Sequence, residues 1–359
     1  MRPRLLHVQA RADMAGCERS CELFLRYSRD YESVVLVLGS PGQAVDLWQR
    51  AGASVEFCKI GTSRSEEYRA LARSIRKYCP KAVIFWTNMR LGLFASAAWR
   101  AGVRRVATHV GNPVRLAPRN RLAARAYSLL PGGRSTTLIA VSGHVAKSIG
   151  DESVLSGYSV QVVYNAVDLE RFVLPPRFPG RGRLKAGMIA RLDQIKDHAT
   201  LLRAWAIVCS RVPGAELELI GDGDLKASLQ LLAGKLGVQS SVHFRGWVSD
   251  VREIMADWNM VIHATTESEG LGNAMLEAMA SGRPLVASDI GPVREVTGNG
   301  AAALLVQPRD PRALAEGILE TLADQSRVHE RVSEAQHCMK NQFSPEVMVS
   351  RYLRALQLE

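Results

Sequence analysis

At 359 residues the chain is long enough for two domains, each with its own core, and at 47% hydrophobic and 23% charged it has a water-soluble globular composition. No apolar run reaches bilayer-spanning length, and Met1-Arg-Pro-Arg-Leu-Leu-His-Val8 passes straight into a strand pattern without the apolar region of a secretory signal, so a cytoplasmic protein is expected. The net charge of +11 lies wholly in the first half, which has 24 Lys and Arg against 13 Asp and Glu up to residue 170 and 22 of each beyond it.

Seven short apolar runs mark the first half: Arg4 to Val8, Ser33 to Leu38, Ser54 to Cys58, Ala82 to Trp86, Arg105 to Val110, Thr137 to Val141 and Val160 to Tyr164. Helical segments separate several of them, an order that implies a parallel sheet covered on both faces. Ligands of such sheets sit at the carboxyl ends of the strands. The first such end runs Gln9 to Ser20, where Gly16 either lets a phosphate or acceptor approach the backbone or belongs to a plain strand-to-helix turn. Cys17 and Cys21, one helical turn apart without a neighbouring His or Cys, read as helix packing. All six cysteines lack CxxC or zinc spacing and are expected as reduced thiols.

The fifth run ends Ala107-Thr-His-Val-Gly-Asn-Pro113, which brings His109 to the ligand edge, where a histidine serves either the fold or a ligand. From Tyr68 to Gly150 there are 15 basic residues and no acidic one. This asymmetry suits an anionic partner such as a phospholipid surface, a lipid diphosphate or nucleic acid, or else a solvated basic face. Within it, residues 114–130 alternate Arg115, Arg119, Arg121 and Arg125 with Leu, Ala and Tyr, as either a basic helix on an anionic membrane or an acceptor-side loop. Residues 173–183, rich in Pro, Gly and Arg, read as a linker between a domain at 1–172 and another at 184–343.

The second half restarts with a strand, Leu184 to Ala190, followed by a loop in which Arg191 and Lys196 are either a clamp on one anion or two surface charges. Another strand, Ala215 to Ile220, leads into Gly221-Asp-Gly-Asp224, and Ser241 to Arg245 leads into Gly246, Trp247 and Val248. After the apolar run Asn259 to His263 comes a glycine-bearing loop, then a helix at Asn273 to Ser281 and a strand opened by Pro284. Backbone amides at a helix start, beside Gly270 and Gly272, form a site for an anion or sugar hydroxyls. Glu269 and Glu277, eight residues apart, cannot meet on one metal and suit two tasks along an elongated ligand. A final helix, capped by Ser344 and Pro345, covers 344–359.

Residues 269 to 284 resemble the retaining glycosyltransferases of family 4, whose hallmark is two glutamates separated by seven residues and followed by Leu-Glu-Ala-Met-Ala-x-Gly-x-Pro, with Leu271 and Asn273 as variants here. The likeness extends over essentially the whole chain, tightest from Ala186 to Val306. It implies an α/β chain of the GT-B class, two Rossmann-like domains with parallel sheets facing a central cleft, the acceptor on the first and the donor on the second. The 344–359 helix would cross back to the first domain.

By resemblance Arg191 and Lys196 clamp the donor diphosphate, and the stretch Gly270, Leu271, Gly272 and Asn273 receives it. Glu277 holds the ribose, Glu269 the hydroxyls of the donor sugar, and His109 stands beside the sugar. The backbone at Gly246, Trp247 and Val248 receives the base, with Trp247 packing either base or core. Ala15 replaces the first glycine of the usual Gly-Gly-Ala-Glu loop near Gly16. Asp222-Gly-Asp224 spells the motif of metal-dependent sugar transferases, but such motifs belong to another fold, so no metal and no cofactor beyond the nucleotide-diphosphate sugar are expected. The acceptor expected is lipid-linked or a growing saccharide, with the enzyme at the inner membrane face. A sugar-nucleotide epimerase of the same shape is the alternative. Nucleic-acid binding is disfavoured for want of an aromatic-interleaved basic platform.

Overall fold

The computed structural model describes residues 2–13, 16–58, 63–88, 90–178, 184–248, 250–266 and 268–359. Ala15 and the linker residues 179–183 lie outside that description. The chain divides into two compact units, Met1–Ala166 with Pro345–Glu359, and Val167–Ser344.

Unit 1 has seven strands, β1 (Arg4–Gln9), β2 (Glu32–Val37), β3 (Ser54–Phe57), β4 (Ala82–Phe85), β5 (Val106–Val110), β6 (Thr137–Ala140) and β7 (Ser159–Val162). Between them run α1 (Gly16–Tyr27), α2 (Ala44–Arg50), α3 (Arg64–Tyr78), α4 (Leu91–Arg100), α5 (Pro118–Ser128) and α6 (Gly143–Gly150). The strands pair in parallel in the order β3-β2-β1-β4-β5-β6-β7. β4 and β5 are buried along their whole length and β1, β2 and β6 at all but their first residue, as strands covered on both faces must be, and this is why they read as continuous apolar runs. One face carries Leu5, Phe24, Trp48, Ile84 and Ile139, and the other Leu6, Val34, Val83, Phe85 and Phe94 against α3 and α4. Helix α3 begins with a capping box, Ser63 accepting from the Glu66 amide and Glu66 from the Ser63 amide.

Unit 2 begins with the single turn α7 (Leu169–Phe172) and holds six strands, β8 (Lys185–Ile189), β9 (Glu216–Ile220), β10 (Val242–Gly246), β11 (Met260–His263), β12 (Leu285–Ser288) and β13 (Leu304–Val306). Its other helices are α8 (His198–Arg211), α9 (Lys226–Lys235), α10 (Arg252–Asp257), α11 (Asn273–Ala280), α12 (Gly291–Val296), α13 (Pro311–Ala323) and α14 (Gln325–Gln342). The sheet is again parallel, ordered β10-β9-β8-β11-β12-β13. Helix α15 (Pro345–Ala355) returns to unit 1, where Met348, Val349, Tyr352 and Leu353 join the core face of α1. In each sheet the strand order reverses once, at β1/β4 and at β8/β11, and loops that follow such a pair form the natural crevice of the fold.

Candidate functional site

In unit 2 the two loops at the reversal point are joined. Asp193 Oδ1 accepts the amides of Ile195 at 3.0 Å and Lys196 at 3.2 Å, folding the loop after β8 on itself, and Asp197 caps α8 by accepting from the Thr200 amide at 3.2 Å. Lys196 then pairs with Thr265 in a short antiparallel bridge flanked by Asp197 N to Ala264 O, 3.1 Å, and Thr266 N to Ile195 O, 3.0 Å. The bridge sets side chains from residues far apart in sequence against each other. Lys196 Nζ ion-pairs with Glu269 Oε2, the side chains only 14% and 10% exposed. Thr265 Oγ1 lies 3.2 Å from both that oxygen and the Ile195 carbonyl, donating to one at a time.

Burial pulls the Lys196 ammonium down to about 8, with Arg191 pushing the same way and Asp193 opposing. His263, at the end of β11, has Nε2 3.9 Å from the same Glu269 oxygen. Its pKa is held well below the ordinary value by burial and then by the Lys196 charge, so it stands neutral. Gly272, the cap of α11, has φ +85°, and a Cβ on it would meet His263 Nε2 at 3.1 Å. Conformation and space both therefore demand glycine where the helix opens. Along α11, Met275, Leu276, Ala278, Met279 and Ala280 are buried, while Asn273 and Glu277 are only partly so and share one stripe at i, i+4 spacing. The helix start, Glu269, Lys196 and Glu277 thus offer cation, amides and two carboxylates.

Arg191 is set apart from that group. Its side chain is 74% exposed and pairs with Asp193 Oδ2 at 3.0 Å, so the arginine and lysine of the expected clamp differ in environment. Asp222 accepts from the Gly223 amide at 2.9 Å and Lys226 Nζ at 3.2 Å, and a Cβ on Gly223 would strike the Leu192 carbonyl at 2.5 Å. The Gly-Asp-Gly turn is therefore a support packed under the Arg191 loop. Gly246 ends β10 with φ +71°, and its carbonyl accepts from the Gly221 amide at 2.8 Å. Trp247 is 52% exposed, which removes core packing as its role, and Val248 is partly buried.

In unit 1, Gly16 is the exposed first residue of α1. His109 is buried in β5 with Nδ1 2.8 Å from the Tyr352 hydroxyl of α15, and its ring lies 5.2 Å from that of Trp86. Burial pulls its pKa to about 4, so the imidazole is neutral. Trp86 in turn donates Nε1 to His7 Nδ1 at 3.1 Å, and Cys17 Sγ donates to the Trp86 carbonyl at 2.9 Å. Cys17 and buried Cys21 thus serve packing. Asp193, Thr265, His263 and Tyr352 join these sites without belonging to any motif of the sequence. The one available signal was that Asp193 lies between the two basic residues it organises.

Residues 183–324 match the family described as glycosyl transferases group 1. A relative in Rhizobium meliloti (strain 1021), the lipopolysaccharide core biosynthesis glycosyltransferase LpsE, is 31% identical over 191 residues, 50% of this chain and 56% of its own. The GDP-mannose-dependent alpha-(1-6)-phosphatidylinositol monomannoside mannosyltransferase of Mycobacterium tuberculosis is 28% identical over 283 residues, 72% of this chain and 70% of that one. The first curated relatives are spanned over only 17% to 56% of their length. Among solved structures, Anabaena Alr3699/HepE in complex with UDP and glucose superposes with a TM-score of 0.84 at 19% identity, over 99% of both chains. Two Rossmann-like domains with these parallel sheets are the GT-B fold.

Proposed function

We propose that the chain is a retaining, metal-independent glycosyltransferase that moves a sugar from a nucleotide-diphosphate donor to a lipid-linked or growing saccharide acceptor, in cell-surface polysaccharide or glycolipid synthesis. The observation that carries this reading is the buried Lys196–Glu269 pair held at the start of α11. A departing diphosphate carries more charge than one carboxylate. When it enters, Lys196 turns from Glu269 to the phosphates, and the released carboxylate accepts from the sugar hydroxyls. Arg191, exposed and loosely paired, folds onto the same phosphates, and the α11 amides complete the anion site. Glu277, on the stripe of Asn273, accepts from the ribose hydroxyls, while Gly246 to Val248 offer backbone and an exposed indole to the base.

Two cations and a helix start supply the charge compensation that a divalent ion gives elsewhere, so activity is expected to persist in EDTA. Retention fits same-face attack assisted by the leaving phosphate. His109, neutral and fixed by Tyr352, is the residue of unit 1 that we assign to the donor sugar on the strength of the family resemblance.

HepE was solved with UDP and glucose, and the mycobacterial relative is named for GDP-mannose, which supports a nucleotide-sugar donor and makes the base the first quantity to measure. A thermal-shift screen with UDP, GDP and their sugars is expected to give stabilisation by one nucleotide series, followed by transfer with an unchanged anomeric configuration by proton NMR. An inverted product removes the retaining mechanism. Isomerised donor in the absence of acceptor replaces the transferase with an epimerase.

A further inference from the structure

Unit 1 holds a cavity of about 370 Å³ at the carboxyl ends of β4 and β5. Its walls are aliphatic, formed by Leu91, Val110, Val114, Leu116, Leu138 and Leu155. Helix α5 closes one side with Asn120, Ala123, Ala124 and Tyr127, residues at i, i+3, i+4 and i+7 that share one helix face. Two guanidinium groups, Arg64 and Arg90, and the Asn88 amide also line it, and none of its described lining residues is acidic.

Both arginines are held in place by a partner side chain. Arg90 pairs with the buried carboxylate of Glu67, and Arg64 Nη1 donates to the Tyr127 hydroxyl at 2.6 Å. Glu67 thus answers Arg90 alone, and burial, followed by the charge of Arg64, lowers the Arg90 pKa. Sugars are held by aromatic platforms and many hydrogen-bonding groups, whereas an aliphatic pocket with a cationic edge suits an apolar chain that begins at an anion. The opposite side of α5 agrees with that source, since Leu122 and Leu129 are 73% and 74% exposed next to exposed Arg119 and Arg125.

We propose that this cavity binds the acceptor as a phosphate-bearing amphiphile, its phosphate at Arg64 and Arg90 and the first carbons of its lipid chain against the leucine and valine walls. The proposal rests on the transferase reading and specifies its acceptor. The cavity takes only the head of the chain, and the remainder stays in the membrane beside α5.

Calorimetric titration of the full chain with octyl phosphate, octyl glucoside and inorganic phosphate, all below micelle concentrations, tests it. Octyl phosphate is expected to bind at one site at least about tenfold more tightly than either control, since both the anion and the chain are recognised. Ala124→Trp, which fills the cavity, is expected to abolish this binding, and Arg64→Gln to weaken it about tenfold. Equal affinity for octyl phosphate and either control overturns the proposal, as does unchanged affinity in both variants. Thermal unfolding and near-UV circular dichroism, which reports the tryptophans of unit 1, check that each variant is folded, and nucleotide titrated in parallel separates the two readings. Nucleotide binding without octyl phosphate binding removes the lipid site alone. The reverse result keeps the lipid site and removes the transferase.

Discussion

Lys196 shows how far one residue's surroundings decide its chemistry. Arg191 and Lys196 look equivalent in sequence, yet one is exposed beside Asp193 and the other is buried against Glu269. A cation required by the donor must be protonated, and with its pKa drawn down to about 8 the Lys196 ammonium is lost as pH rises through that value. The donor KM of the wild type is therefore expected to climb above about pH 8, and Lys196→Arg, which stays charged, is expected to remove that limb. Lys196→Ala and Glu277→Ala are each expected to lower kcat/KM for the donor about a hundredfold with the far-UV circular dichroism unchanged. Wild-type kinetics in both would dismiss these roles. The glutamates and glycines of this site were legible because a helix start and its loop are local in sequence. The partner of Glu269 was not, because a bridge between residues 196 and 265 leaves no local trace.

At the level of elements, both sheets were readable strand by strand, since strands buried on two faces are short apolar runs between turns. The fasteners between elements were hidden. Arg283, in the Gly-Arg-Pro segment after α11, is only 3% exposed. Its guanidinium donates to the carbonyls of Pro175 at 2.7 Å, Ser281 at 2.8 Å, Ala256 at 3.0 Å and Met255 at 3.2 Å, drawing three separate segments together. Arg283→Ala strands these acceptors and is expected to cost about 3 kcal/mol or more, seen as a lower urea midpoint with normal nucleotide affinity in the fraction that remains folded. The histidines of unit 1 act similarly. Burial holds His7 near a pKa of about 3 and His109 near about 4, both below an unfolded value of 6.5. The unfolded chain takes up protons first, so stability is complete above about pH 6.5 and falls toward pH 4 by roughly 1.4 kcal/mol per pH unit for each histidine. Thermal unfolding across that range should show the decline, and His109→Gln should flatten it.

Across the whole molecule the charge is divided unevenly, with the excess of Lys and Arg in the first 170 residues, the half that carries the arginine-edged cavity. Among the described residues no helix is long and apolar enough to cross a membrane, so any attachment by those helices is through a surface. Binding to vesicles containing phosphatidylglycerol is expected, weakening as salt shortens the screening length to about 3 Å at 1 M, and negligible on purely zwitterionic vesicles. Equal sedimentation with both vesicle types would show that the basic half serves another end. The path of the polypeptide carries a further implication. Helix α15 completes the core of unit 1 and supplies the hydroxyl that fixes His109, yet it is made after every residue of unit 2. During synthesis, then, the earlier-made unit must wait with an open flank on its sheet while the later one closes, the reverse of the usual vectorial order.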